Sequence, residues 1–393
     1  MVAKPGTAFA LAKLSASYLL RRPLATLAGT PRALVPAMLP ACAIWSAALA
    51  ATGAAAALQV GVRVRRAPIL RPFPALLASG GELAEACSLV SDTHVVTPDA
   101  VPVELVHEPH QWPAGAPPTG RELAARLADV LREIQRRAPS TVVWCGDEVD
   151  SGDPREWQAW REIAELVPGL AHRFVPGNHD ICFNPPLAED HTLARRAVRE
   201  RAYQEVAGAL GDFPCVDTIV TEAGPATLVL LDSCLHRSRH VLSNAIGRFG
   251  AAQLYELARV LERVRGPVLA VAHHHVWRDR RFLEPQAWYE TAVDADELVA
   301  ILGAYRRRDP GNHVLVCHGH RHILAAGLVG EPGAEIAVFG MPSTTLGDKS
   351  SGGILDGLPR YAVAGLRPDG SWGVSVRVVI PSRDASTAVI GAS

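Results

Sequence analysis

The chain has 393 residues, of which 48% are hydrophobic and 20% charged, with a formal net charge of −1. This composition is typical of a globular protein and excludes a disordered or collagen-like chain. Every acidic residue lies at or after Glu82, and the nine basic residues before it leave 30 basic against 40 acidic residues in the remainder. An acidic body argues against nucleic-acid binding, which depends on Lys and Arg contacts to phosphates.

The N-terminal segment, residues 1–81, is rich in Ala, Leu and Pro, and we separate it from a second region, residues 82–393. Residues 33–62 contain no charge and are long enough to cross a bilayer, although Ala predominates and prolines interrupt the run. A membrane anchor is the favoured interpretation. A signal peptide, a soluble Ala-rich helix and a disordered leader are the alternatives.

Short apolar runs alternate with amphipathic stretches after residue 82. Strands are predicted at 86–90, 141–145, 172–175, 226–231, 268–272 and 314–317, and helices at 120–137, 155–166, 191–210, 251–264 and 294–307. This alternation predicts an α/β domain with largely parallel strands. Three later runs, 336–339, 361–364 and 374–379, have no helices between them and predict an antiparallel portion.

Side chains that can bind metals follow five of these strands. They are Asp92 and His94; Asp147 and Asp150; Asn178, His179 and Asp180; His273, His274 and His275; and His318, His320 and His322. Because ligand sites in open α/β sheets form at the carboxyl ends of the strands, residues more than 200 positions apart are predicted to gather at one edge.

Each motif alone has a structural explanation, since Gly-Asp-x-x-Asp can begin a helix and Gly-Asn-His-Asp can be a turn. Five motifs in succession, each at a strand end, favour a metal site instead. A mixed set of Asp, Asn and His without Cys suits Mn²⁺, Fe²⁺ or Zn²⁺. The ligands are too many for one ion, so the sequence predicts two divalent metal ions.

Taken together, the motifs resemble those of the calcineurin-like metallophosphoesterase superfamily, in its bacterial phosphodiesterase-like branch. The resemblance covers about residues 86–325, and the segments 230–233 and 340–345 are more weakly similar. It implies a four-layer α/β sandwich in which helices flank two central mixed sheets, with the N-terminal apolar segment as an addition.

The resemblance also implies a set of metal ligands. Asp92, His94 and His322 would hold the first ion, Asp147 would bridge both ions, and Asn178, His320 and one histidine of the triplet would hold the second. The family usually has His-His-Pro at the triplet. Aligning Val276 with that Pro makes His274 the ligand, which we prefer, whereas choosing the first histidine after the strand makes it His273.

The implied activity is hydrolysis of a phosphodiester or phosphomonoester by a hydroxide that bridges the two metals. His179 is the predicted general acid, and Asp180 is expected to orient His179 or to favour its charged form. Asp150 is expected to fix a loop or a ligand, and His318 is expected to lie outside the metal shell. The alternative is a catalytically silent binding or scaffold protein, which would typically have lost ligands that this chain keeps.

The partners and the compartment are predicted only in outline. A small-molecule or lipid-linked phosphate ester is the expected substrate, and residues 33–62 could also contact a membrane.

The seven cysteines are widely spaced, and no Cys-x-x-Cys pair occurs. This pattern argues against a disulfide framework and favours a reducing compartment. The expected location is therefore the cytoplasm or the cytoplasmic side of a membrane.

Overall fold

The computed structural model describes residues 66–79, 81–107, 111–113, 115–137, 139–181, 193–208, 210, 213–234, 246–278, 291–349 and 353–380. The helices are α1 (Val103–His107), α2 (Gly120–Arg137), α3 (Pro154–Glu165), α4 (Asn178–Ile181), α5 (Leu193–Ala207), α6 (Ala251–Arg263) and α7 (Ala295–Arg308). The strands are β1 (Arg71–Pro72), β2 (Ala84–Val90), β3 (Thr141–Trp144), β4 (Ala171–Phe174), β5 (Cys215–Thr221), β6 (Gly224–Leu230), β7 (Val268–Val271), β8 (Val314–His318), β9 (Ala325–Val329), β10 (Ile336–Gly340), β11 (Arg360–Leu366) and β12 (Trp372–Val378).

The strands form two mixed sheets. The order is β1-β9-β10-β8-β7-β6-β5 in the seven-stranded sheet and β12-β11-β2-β3-β4 in the five-stranded sheet. β2, β3 and β4 are parallel, and so are β6, β7, β8 and β10. β11 and β12 are antiparallel, as predicted for the tail, whereas β10 pairs parallel with β8 and antiparallel with β9.

Three clusters of buried apolar side chains separate four layers. One cluster joins the five-stranded sheet to α2, α3 and α5, with Trp144 of β3 among its members. A second joins the seven-stranded sheet to α6 and α7 around Val316 of β8. The third fills the space between the sheets and includes Leu89 and Val271. The order helix, sheet, sheet, helix confirms the predicted four-layer sandwich.

The predicted elements after residue 82 are all present, with ends that differ by at most three residues. The sequence did not predict β1, β5 and β9. β5 is an edge strand in which Ile219 is buried but Val216 and Val220 are exposed, so its apolar residues do not form an alternating pattern.

Residues 66–79 belong to the packed fold although they precede the compositional boundary at residue 82. β1 pairs antiparallel with β9, and the Phe73 amide donates to the Ala326 carbonyl at 3.0 Å. Leu76 is fully buried between the sheets, whereas Leu77 is 39% exposed. The packed structure therefore includes residues on the N-terminal side of the predicted boundary.

The predicted anchor, residues 33–62, lies outside the described residues and stays a prediction. Within the described part of the chain, no helix is both long enough and apolar enough to cross a bilayer.

We expect Leu76→Ala to lower the free energy of unfolding by about 2–4 kcal/mol, because it removes a fully buried side chain and leaves a cavity. Leu77→Ala is the matched control and should change stability much less, since its side chain is partly in solvent. Urea denaturation of both variants measures the difference. Equal losses would show that residues 66–79 do not pack as described.

Candidate dinuclear metal centre

Five loops carry polar side chains to one edge of the sandwich. They follow β2, β3, β4, β7 and β8, and backbone hydrogen bonds join them to one another. The Asp92 amide donates to the Gly146 carbonyl at 2.9 Å, and the Gly319 amide donates to the His273 carbonyl at 3.1 Å. The carboxyl ends of the parallel strands thus meet at one place, as expected for open α/β sheets.

The first group of side chains at this edge is Asp92, His94 and His322, all of them buried. Nε2 of His94 lies 3.1 Å from Nε2 of His322, and Oδ1 of Asp92 lies 3.4 Å from the same His322 atom. One ligand atom of each residue lies within 4.8 Å of the others, so the group could hold one metal ion.

A second group surrounds Nε2 of His273. This atom lies 3.0 Å from Oδ2 of Asp147, 3.0 Å from Oδ1 of Asn178 and 3.1 Å from Nδ1 of His320. Four donor atoms of three chemical types therefore converge on one point.

Asp147 lies between the two groups. Its carboxylate comes together with Asp92 as well as with His273, each with a ligand atom within 4.8 Å of the others. Its Oδ1 also accepts a hydrogen bond from the His179 amide at 2.7 Å. A carboxylate in this position is suited to bind two cations at once.

The backbone is left-handed at five non-glycine residues of the described chain, and all five belong to these groups. The φ angles are 51° at Asp92, 44° at His94, 57° at Asp147, 75° at His320 and 55° at His322. Such conformations cost on the order of 1–3 kcal/mol each and persist only where the surrounding structure enforces them. The fold therefore maintains strain at this edge to aim these side chains.

Two glycines let the carboxylates approach the backbone. A Cβ atom at Gly177 would lie 2.1 Å from the Asp147 amide nitrogen, and one at Gly319 would lie 2.2 Å from Oδ2 of Asp92. Non-bonded atoms do not approach this closely, so positions 177 and 319 both require glycine.

Opposite charges face each other in the buried part of the site. Burial opposes the ionisation of Asp147, but His273 and His179 hold the pKa of this carboxyl below its usual value. Burial also opposes the charge of His273, yet the Asp147 carboxylate raises the pKa of His273 to about 9. Burial and the neighbouring histidines keep the pKa of His320 well below normal.

His179 lies at the rim, and its side chain is 14% exposed. Its Nδ1 is 2.6 Å from the backbone carbonyl of Asp150 and 3.8 Å from Oδ1 of the same residue. Oδ1 of Asp150 also lies 3.0 Å from Nδ1 of His94. Asp150 thus contacts both a candidate ligand and the candidate general acid, and its role outside the metal shell stays a prediction.

Asp180 holds two of the loops together. Its carboxylate accepts hydrogen bonds from the amides of Asp147, Val149 and Gly177 at 2.9, 3.1 and 2.8 Å. The neighbouring Glu148 is buried against it, and burial together with Asp180 raises the pKa of Glu148 well above normal. These contacts give Asp180 a positioning role, while Asp150 supplies the contact with His179 that the sequence had suggested for Asp180.

The remaining histidines differ in their surroundings. Nδ1 of His274 lies 2.8 Å from the Ser233 hydroxyl, and one ring atom of His274 lies within 4.8 Å of ligand atoms of His273 and His320. Nε2 of His318 accepts a hydrogen bond from the Trp277 indole at 2.9 Å, which places this ring among buried neighbours outside the two groups. Both His273 and His274 are thus near the second group, but the shortest donor-atom distances favour His273.

Hydroxyl groups of residues 343–345 support the Asp92 loop. The Ser343 hydroxyl donates to the Asp92 carbonyl at 2.6 Å, and the Thr345 hydroxyl donates to the Thr93 carbonyl at 2.7 Å. In the sequence, only the weak resemblance of residues 340–345 pointed to these hydroxyl groups. Ser and Thr that bind backbone carbonyls are not metal ligands, so no ligand motif reveals them.

The donor set of carboxylates, imidazoles and one amide fits divalent ions such as Mn²⁺, Fe²⁺ or Zn²⁺. Residues 89–324, more than half of the chain, match the family described as calcineurin-like phosphoesterase. The chain therefore belongs to this family of metal-dependent phosphoesterases. Two divalent metal ions are its cofactors, and its general activity is hydrolysis of phosphate esters.

Several solved structures align with the chain at low sequence identity. A dimetal phosphatase from Danio rerio is 17% identical, with 76% of this chain and 100% of that chain covered and a TM-score of 0.44. The purple acid phosphatase PPD1 from yellow lupin is 10% identical, with 77% and 55% covered and a TM-score of 0.45. The NAD nucleotidase of Haemophilus influenzae is 11% identical, with 75% and 49% covered and a TM-score of 0.39. No curated protein sequence matches the chain significantly.

Proposed function

We propose that the protein hydrolyses a small phosphodiester or phosphomonoester at a dinuclear metal centre on this edge of the sandwich. The observation that carries the proposal is the convergence of Asp147, Asn178 and His320 on Nε2 of His273, at 3.0–3.1 Å. The separate group of Asp92, His94 and His322 lies on the other side of Asp147.

The ligands are assigned by these distances. Asp92, His94 and His322 would hold the first ion, Asp147 would bind both, and Asn178, His273 and His320 would hold the second. His273 replaces His274 in this assignment because Nε2 of His273 lies within 3.1 Å of oxygen or nitrogen atoms of Asp147, Asn178 and His320. When bound, the two ions supply hydroxide near neutral pH and stabilise negative charge on the phosphoryl oxygens.

The side chain of His179 donates the proton to the leaving oxygen. The Asp150 carbonyl, 2.6 Å away, accepts the Nδ1 hydrogen, so Nε2 is the ring atom that we assign to proton transfer. Asp150 sets the orientation of this ring, and the amide of His179 is held by Asp147 at 2.7 Å. The proton donor is thereby tied to the same carboxylate as both metal ions.

We expect His273→Ala to lose one bound metal ion and most of the activity, because it removes the atom on which the second group converges. His274→Ala, which changes the adjacent histidine, should retain two ions. Elemental analysis of Mn²⁺-loaded protein, with hydrolysis of an aryl phosphodiester as the second readout, distinguishes the two. The reverse pattern would restore His274 as the ligand, and full activity in both variants would refute the proposed centre.

We expect His179→Gln to slow hydrolysis of an alkyl phosphate ester by about 100-fold or more, in the range of general acid catalysis. An ester with a p-nitrophenolate leaving group should be affected much less, because this group departs without a proton. The control is His313→Gln, which changes a histidine at the opposite end of β8. Equal losses for both leaving groups would contradict the role of His179 as proton donor.

A further inference from the structure

The third histidine of the triplet, His275, has no part in the proposed centre, yet it is completely buried. Its Nε2 lies 2.9 Å from the Thr291 hydroxyl, and this hydroxyl donates to the Trp277 carbonyl at 3.2 Å. Because the hydroxyl proton is used on the carbonyl, its oxygen accepts the Nε2 hydrogen of His275. Nδ1 of His275 is therefore an acceptor, and it has no hydrogen-bond partner among the described residues.

The opposite arrangement occurs at His320. Its Nδ1 faces His273 in the proposed centre, at 3.1 Å, so a neutral ring that binds metal through Nδ1 carries its hydrogen on Nε2. Nε2 of His320 is also buried and also has no hydrogen-bond partner within the described part of the chain. A histidine that binds a metal almost always donates its second ring hydrogen, because this fixes the tautomer and the orientation of the ring.

The rings of His275 and His320 lie near each other. Their centroids are 6.2 Å apart, and their planes differ by 30°. Two imidazoles joined by an N–H···N hydrogen bond have centroids roughly 5 Å apart, so the present separation is about 1 Å longer than in a bonded pair. The ring of His274 is nearer to His320, at 4.5 Å, but this separation is shorter than in a hydrogen-bonded pair and the planes differ by 50°, so the two rings make a packing contact.

We propose that His275 is a positioning residue for the second metal ion, and that its Nδ1 accepts the Nε2 hydrogen of His320 when the metal is bound. The chain of contacts then runs from the Trp277 carbonyl through Thr291 and His275 to His320. The inference rests on the proposed role of His320 as a metal ligand, and it gives the third histidine of the triplet a role in metal affinity.

Two substitutions at His275 separate this role from a purely structural one. The oxygen of an Asn side chain occupies nearly the position of Nδ1 and keeps the acceptor for His320. The amide of a Gln side chain reaches the position of Nε2 and keeps the contact with Thr291 instead. His275→Gln should therefore weaken the binding of one Mn²⁺ by about 10- to 100-fold, whereas His275→Asn should bind close to the wild-type affinity.

The measurement is calorimetric titration of chelator-treated full-length protein with Mn²⁺, after thermal unfolding has established that both variants fold. Tyr305→Phe removes a buried hydroxyl donor to the Gly266 carbonyl, at the end of β7 away from the metal edge, and as the control it should leave Mn²⁺ affinity unchanged.

Equal Mn²⁺ affinities for the two His275 variants, or weaker binding in His275→Asn alone, would overturn the role of His275 while leaving the proposed function intact. A wild-type chain that binds fewer than two Mn²⁺ ions would overturn the proposed function together with this inference.

Discussion

The buried carboxylate of Asp147 is the group on which the rest of the site depends. It is 2% exposed, and a carboxylate in such a place requires compensating charge and hydrogen bonds. His273 and the amide of His179 contact its two oxygens, and Asp180 holds its own amide. Two loops, after β3 and β4, are thereby closed around one negative charge.

The same constraint explains why the neighbouring backbone is unusual. Asp92 can approach the loop after β8, and Asp147 the loop after β4, only because Gly319 and Gly177 have no side chain. The five left-handed residues all belong to the side-chain groups that could hold metal ions, so the strained backbone coincides with the site. A region that collects two carboxylates and several histidines in a buried space has the charge and the donors for cations, and the family of the chain supplies the chemistry.

Much of the fold could be predicted because its inner strands are apolar throughout and each ends in a short polar motif. The packed segment 66–79 was not predicted because it shares the Ala- and Pro-rich composition of the residues before it, although Leu76 is buried in the core. β5 was missed because an edge strand does not need a continuous apolar pattern.

The members of the site could be predicted better than their individual roles. The alternation of side chains along β7 ends at Val271, so spacing alone does not determine which of His273 and His274 turns toward Asp147. The role of Asp180 was also beyond sequence reasoning, because its partners are backbone amides and leave no pattern of side chains.

The central claim is that two metal ions share Asp147. Anomalous X-ray diffraction from crystals of Mn²⁺-loaded protein, collected at the manganese absorption edge, tests it most directly. The account predicts two peaks about 3.5–4 Å apart, one on each side of the Asp147 carboxylate. A single peak, or peaks that lie away from Asp147 and His273, would contradict it.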